Sequence, residues 1–287
     1  MPADLHCHTK LSDSSMGIDD LIVLAQKKGL TTIAITDRDC QAGTVRAKII
    51  GERRGINVIP GVEISATDSK SGKNIEILGY LCDSPDRLEG LCHRNVVSRK
   101  KASQLMTLKI ARKYPISPEL VLKCATGSTA VFEQHIMHAL LECGITDRIY
   151  GEIYHELFSP ESEENVLVKI NYPEPAEVID AIHEAGGVAV LAHPGASDCF
   201  EILDDLVAAG IDGVEVWHPE NDAENEAKLL KFARANGILA VGGTDFKGMY
   251  SKKTICVGDY STPDADVKAL MSYKTKMKKK KTATESK

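Results

Sequence analysis

Asp4-Leu5-His6-Cys7-His8 stands near the start of the 287-residue chain, and its reading decides the fold. Two histidines two apart on an extended segment point to the same face of a strand. Leu5 and Cys7 then face the other way, into a core. Residues 9–17 (TKLSDSSMG) are turn-like, so the pair sits where a strand gives way to a loop. Neutral imidazoles held side by side are a common grip on a divalent metal. His-x-His also arises by chance on exposed strands, so its weight depends on where other ligand-type residues fall.

Working outward, strands and helices alternate. Residues 18–28 (IDDLIVLAQKK) have helical spacing, with Asp19 and Asp20 in the first turn and Gly29 as a stop. Residues 31–36 (TTIAIT) read as a strand ending at Asp37, 41–54 as a helix closed by Gly55, and 57–62 (NVIPGV) as a strand with Glu63 at its end. A fourth strand spans 75–81 (IEILGYL). Residues 85–169 break the rhythm with a mainly helical pattern, including an amphipathic run over 129–143, and are expected to form a helical insertion. Alternation resumes with a helix from Pro175 to Ala185, and then an apolar strand (GVAVLA) ending at His193-Pro194. A helix capped by Ser197 or Asp198 follows, then a strand over 211–217 (IDGVEVW) with His218 after it. A helix over 222–236 and a seventh strand, 238–242 (ILAVG), lead to Thr244-Asp245. Repeated βα units argue for a parallel sheet with helical cover, either an open doubly wound sheet or a barrel.

Polar groups decide between these. His6, His8, Asp37, Glu63, His193, His218 and Asp245 each fall at or just past the C-terminal end of an expected strand. In a barrel those ends meet in one mouth, whereas an open sheet strings them along an edge. The expected fold is therefore α/β: a distorted seven-stranded (β/α) TIM-like barrel made of residues 1–84 and 170–273, interrupted by the insertion at 85–169.

At 43% hydrophobic, the chain can bury a large core. Its eight cysteines form no Cys-x-x-Cys pair and no disulfide-like spacing, which suits a reducing compartment. No signal peptide and no bilayer-length apolar run are visible, so the expected location is the cytoplasm. Residues 274–287 hold seven lysines and one glutamate, a net +6, against −6 for the whole chain, so the remainder carries −12. Such a body is no general nucleic-acid platform and shows no dedicated DNA-binding surface. The lysine run reads as a solvated, disordered tail.

The motifs, taken in order, resemble the PHP (polymerase and histidinol phosphatase) domain. They are Leu5-His6-Cys7-His8-Thr9 with Ser12-Asp13, Ile35-Thr36-Asp37, Pro60-Gly61-Val62-Glu63-Ile64-Ser65, Ile77-Leu78-Gly79-Tyr80, the glycine-rich approach to His193-Pro194-Gly195, and Gly242-Gly243-Thr244-Asp245-Phe246. The resemblance covers nearly the whole chain and is strongest to stand-alone nucleotide phosphoesterases, the 3',5'-bisphosphate phosphatase and 5'-3' exoribonuclease type. It implies a metal-dependent hydrolase of a phosphate ester of a nucleotide or short RNA, with no membrane partner. A metal-activated water does the chemistry, and no side chain is assigned as catalytic. His6, His8, Glu63 and Asp245 would form a first metal site, with Glu63 bridging to a second held by His193 and Glu76. Asp13 would belong to a third. Mixed imidazole and carboxylate ligands suit manganese, with iron and zinc as alternatives.

Three positions depart from the family pattern. Histidine is usual at 38, 76 and 247, where this chain has Arg38, Glu76 and Lys247. Glu76 still ligates; charged Arg38 and Lys247 do not, so one or two ions are expected rather than three. Two cations around Asp13 would neutralise it or hold substrate phosphate. Arg38, Lys247, His135 and His218 are the candidate substrate contacts. The family often has arginine two residues before the histidine matching His135, where this chain has Glu133, which bears on substrate choice. No Ser-His-Asp set, P-loop or dinucleotide fingerprint competes. Two rivals stay open: an amidohydrolase-type metal hydrolase, and a degenerate PHP protein that binds a nucleotide or partner with little catalysis.

Overall fold

The computed structural model describes residues 3–285, with side chains described to residue 275. Seven strands lie side by side in sequence order: β1 (Ala3–Cys7), β2 (Thr32–Ile35), β3 (Asn57–Thr67), β4 (Asn74–Tyr80), β5 (Val188–Leu191), β6 (Gly213–Trp217) and β7 (Leu239–Gly242). The sheet is nearly closed into a barrel. The last gap is bridged not by β7 itself but by the segments after it. His8 N–H donates to the Phe246 carbonyl (3.0 Å), and Thr262 N–H to that of Ala3 (2.8 Å).

The sheet is not wholly parallel, as the βα rhythm suggests. Strand β4 runs antiparallel to both β3 and β5. A tight turn, with Asp68 N–H bonded to the Lys73 carbonyl, joins β3 to β4, and it leaves no room for a crossover helix. Strand β3 is also longer than expected. Its first part pairs with β2 up to Pro60, and from Gly61 onward it pairs with β4. Glu63 thus lies inside the strand, just after it changes partners, rather than at its end.

Leu5 and Cys7 do not share a core. A register shift between Asp4 and Cys7 breaks the alternation of β1. Leu5 joins Ala34, Ile59, Leu78, Tyr80, Val190 and Val241 inside the barrel, whereas Cys7 joins the outer layer with Ile33, Ile35 and Phe246. That outer layer packs β1–β3 against α1 (Ile18–Lys27) and α2 (Thr44–Arg54). Strands β3–β7 are covered by α7 (Pro175–Glu184), α8 (Leu203–Ala208) and α9 (Ala223–Asn236). Helix α8 is not capped by Ser197 or Asp198, because a 3-10 turn over Phe200–Ile202 precedes it.

Between β4 and α7 the described chain contains helices and no strand, chiefly α3 (Glu89–Lys113), α4 (Pro118–Cys124), α5 (Glu133–Glu142) and α6 (Glu152–Phe158). These bury their own apolar cluster around Ile110, Ile136, Leu140 and Leu157, which also takes in Tyr250 from beyond β7. Helix α10 (Asp264–Glu285) sets Leu270 into the barrel interior. Its backbone stays helical through the lysine run read from sequence as a disordered tail, in keeping with the helix propensity of Lys, Ala, Met and Glu. Residues 286 and 287 of that run lie outside the described residues. Among the described residues, no helix is long and apolar enough to cross a membrane.

Candidate metal centre

Strands β1 and β3 and the turns after β1, β5 and β7 bring five of the sequence-flagged residues together at one end of the barrel. His6 and His8 approach within 3.2 Å through their Nε2 atoms. Asp245 Oδ1 lies 2.9 Å from His8 Nε2 and 3.5 Å from His6 Nε2. Glu63 Oε1 lies 3.3 Å from His6 Nε2 and 3.2 Å from His193 Nε2. His193 and Asp245 both hold positive φ, at 24° and 50°. Non-glycine residues rarely adopt this conformation, and it is tolerated where a site fixes it.

The other ring nitrogens show which way these imidazoles face. His6 Nδ1 sits 3.1 Å from Glu215 Oε1. His8 Nδ1 sits 3.3 Å from Ser12 Oγ, whose own proton goes to Asp37 Oδ1 at 2.6 Å. Both Nδ1 atoms face acceptors and so carry protons, which leaves Nε2 of each ring as the atom able to ligate. Two such nitrogens 3.2 Å apart beside two carboxylates call for positive charge between them, a proton or a metal ion. Glu63 Oε2, fully buried, makes no hydrogen bond. The donor set fits a divalent metal. His6, His8 and Asp245 form one group with ligand atoms within 4.8 Å of one another; His6, Glu63 and His193 form a second.

The electrostatics agree. Burial works against charge on Glu63, but Arg38 and the His193 and His6 hydrogen bonds hold its carboxyl well below the usual range. Burial is likewise outweighed at Asp245, by Lys247 and the two histidines. Burial favours a neutral His6, yet Glu215 and Asp245 raise its pKa well above the ordinary value.

Arg38, Lys247, Asp13 and Glu76 form a second ring of charge beside this cluster. Arg38 Nε meets Asp13 Oδ2 at 3.0 Å, and its Nη1 meets Glu76 Oε1 at 3.0 Å and Glu63 Oε2 at 3.2 Å, the last without hydrogen-bond alignment. Lys247 pairs with Asp245 and stands 3.9 Å from Asp13 Oδ2. Glu76 is thus engaged by Arg38, and it lines the same cavity as His193, on which its charge acts.

His218 lies 5.1 Å from His193, ring to ring. Its Nδ1 accepts the Glu220 N–H at 3.1 Å, so its buried Nε2 carries the proton of the neutral ring and has no hydrogen-bond partner. Burial pushes its pKa down to about 3, which keeps it neutral. His135 is not brought to the cavity wall: it packs edge-on to Tyr250, and its Nδ1 accepts the Phe132 N–H. Asp37, flagged as a strand-end acid, accepts from Thr9 N, Thr9 Oγ1 and Ser12 Oγ and so folds the loop after β1.

Two residues of the site escaped the sequence reading. Glu215 holds His6 Nδ1 and also accepts the His193 N–H at 2.9 Å. Asp4 accepts from Thr244 N and Oγ1 and from Gly258 N, fastening β1 to the loops after β7. The available signal was a lone acid in an otherwise apolar strand for Glu215, and an acid two residues before His6 for Asp4. Beside Asp4, Gly243 has no room for a side chain, since a Cβ would come within 2.3 Å of His6 N.

A cavity of about 260 Å³ opens beside this centre, lined by Arg38, Glu76, His193, His218, Asp245 and Lys247 from the barrel side, and by Glu133, Gln134, Tyr150 and Tyr154 from the helical segment.

This arrangement has relatives. A Phosphoribosyl 1,2-cyclic phosphate 1,2-diphosphodiesterase of Eggerthella lenta is 31% identical over 88% of this chain and 96% of that protein. The 5'-3' exoribonuclease Rnm of Escherichia coli is 30% identical over 85% of this chain and 84% of that one. A solved structure from Bifidobacterium adolescentis, proposed as a metal-dependent phosphoesterase, superposes with a TM-score of 0.84 at 29% identity, covering 94% of this chain and 95% of that one. With a PHP domain profile matching residues 4–185 as well, the chain belongs to the PHP family of metal-dependent phosphoesterases.

Proposed function

We propose that this centre hydrolyses a phosphate ester of a nucleotide-like small substrate, with one or two divalent ions held by His6, His8, Glu63 and Asp245, and by Glu63 with His193. The observation that carries the reading is the pair of inward-facing Nε2 atoms 3.2 Å apart beside Glu63 and Asp245. Manganese fits such mixed nitrogen and oxygen donors, as do iron and zinc. Bound there, the ion supplies Lewis acidity, which lowers the pKa of water and offsets charge on phosphoryl oxygens.

The chain's own residues do the rest. Glu215 keeps the His6 ring oriented while its Oε2 fixes the backbone of His193. Arg38 and Lys247 line the cavity as fixed cations and meet the phosphoryl oxygens, standing where further ions would otherwise be needed. His218 presents its unpartnered Nε2–H as a neutral donor to a substrate oxygen. The barrel segments 1–84 and 170–273 thus furnish the chemistry, and the insertion 85–169 furnishes a wall for the substrate. Eight free cysteines suit work in the reducing cytoplasm.

The test is phosphate release by manganese-loaded protein from nucleoside monophosphates, 3',5'-bisphosphates and short 5'-phosphorylated RNA. Release that is lost in His8→Ala and Asp245→Ala supports the reading. No release from any of these esters, or full turnover by either variant, ends it.

A further inference from the structure

Glu133, Tyr150 and Tyr154 give the cavity wall of the helical segment a cluster of hydrogen-bond acceptors, with the Gln134 amide beside them. Glu133, the first residue of α5, lines the cavity and is half-buried; its Oε2 accepts the Tyr154 O–H at 2.7 Å. Tyr150 gives its O–H to the Tyr250 carbonyl at 2.8 Å. Both phenol protons are therefore spent inside the protein, and what Tyr150, Tyr154 and Glu133 have left to offer is oxygen lone pairs. Burial raises the Glu133 pKa, while the Tyr154 hydrogen bond, Lys252 and Arg38 act the other way and favour the carboxylate.

A phosphate dianion has no proton to give such a wall, and it is repelled by the carboxylate. A sugar hydroxyl is the complementary group: it donates to the free carboxylate oxygen or to a phenol oxygen. The cavity is also small, about 260 Å³, below the usual range for sites that enclose larger ligands.

We infer that Glu133 and Tyr154 select the far end of the substrate, so that the site takes a singly phosphorylated sugar ester with free hydroxyls, and discriminates against a second phosphate or a continuing nucleotide chain. This rests on the phosphoesterase reading above and narrows it. Arg38 and Lys247 hold the one phosphate beside the metal-type cluster, and the acceptor wall holds the sugar.

The experiment has two readouts on the manganese-loaded full chain. The first compares kcat/KM for ribose 5-phosphate and a nucleoside 5'-monophosphate with that for a nucleoside 3',5'-bisphosphate and a 5'-phosphorylated dinucleotide. The expected preference for the first two is about tenfold or more, carried mainly by KM. Glu133→Arg reverses the order, and Glu133→Gln, which still accepts from Tyr154, weakens it. The second is the calorimetric Kd of a hydrolysis-resistant phosphonate of ribose 5-phosphate against its 2,3-dideoxy counterpart. Loss of the hydroxyls weakens binding in the wild type and much less in Glu133→Ala. Equal Kd values for the two phosphonates, or a bisphosphate preference untouched by Glu133→Arg, overturn the inference and leave the phosphoesterase reading standing. Failure to release phosphate from any ester sinks that reading instead, and the phosphonate pair still decides what the wall recognises.

Discussion

Glu215 grips two parts of the centre at once: its carboxylate lies 3.1 Å from His6 Nδ1 and accepts the backbone N–H of His193 at 2.9 Å. It does not reach into the cavity, so its influence runs through the orientation and basicity of a candidate ligand. Glu215→Gln keeps the shape but removes the charge that stabilises the Nδ1–H tautomer. Manganese affinity should fall by about 10- to 100-fold with little change in fold, as is usual when a partner behind a ligating histidine is lost. Titration calorimetry reads this directly, and unchanged affinity would dismiss the role given to Glu215.

Arg38 and Lys247 stand among Asp13, Glu63, Glu76 and Asp245, each in contact with at least two of these acids. They occupy with fixed charge the space between carboxylates that a cation would otherwise fill. Replacing both by histidine converts two donors of charge into two neutral ligands near Asp13. The Arg38→His, Lys247→His double variant should bind one more manganese per chain than the wild type, by elemental analysis after loading and desalting. Identical stoichiometry would show that the acids there do not form a cation site.

The parts of the site that could be read from sequence share a cause. His8, His193 and Asp245 follow short strands and His6 sits near the end of one, and a strand end in a barrel has only one place to go. The sequence pattern puts Glu63 at a strand end, whereas it lies inside β3, just past the change of partners. Strand direction was misjudged at β4, although the short connection over residues 68–73 cannot carry a parallel crossover. Glu215 carries no such mark, because one acid in an apolar strand gives no periodic signal, and Asp4 shares its strand with the more conspicuous His6. Their partners, His6 Nδ1 and Thr244, become neighbours only when distant strands close up. The bulge that separates Leu5 from Cys7 has no mark in the alternation itself.

Asp4 is fully buried and accepts from Thr244 N at 3.0 Å, Thr244 Oγ1 at 2.6 Å and Gly258 N at 2.9 Å. These bonds tie the first strand to the loops after the last, which is where the barrel closes and where Asp245 is held. Asp4→Ala leaves several buried donors unmatched and should cost on the order of 3–5 kcal/mol in urea unfolding. The loss should also appear as faster amide exchange at Thr244 and Asp245. A variant as stable as the wild type would mean that the closure depends on other contacts.

His135 offers a pH test away from the metal-type cluster. Burial pushes its pKa down to about 4; the Asp13 charge works the other way, and His138 adds to the depression. Its Nδ1 already accepts the Phe132 N–H at 3.1 Å, so protonation there would break a bond that fixes the start of α5. A free histidine titrates near pH 6.5, so between about pH 6.5 and 4 the unfolded chain binds the extra proton and the folded chain does not. Stability must then fall as pH falls through that window, by up to about 3 kcal/mol from this residue. His135→Gln removes the titration. The difference in unfolding free energy between wild type and variant should therefore shrink, or turn against the wild type, from pH 7 to pH 4. Urea melts at half-unit steps measure it; a difference that stays constant with pH would mean His135 is protonated as readily in the fold as in the open chain.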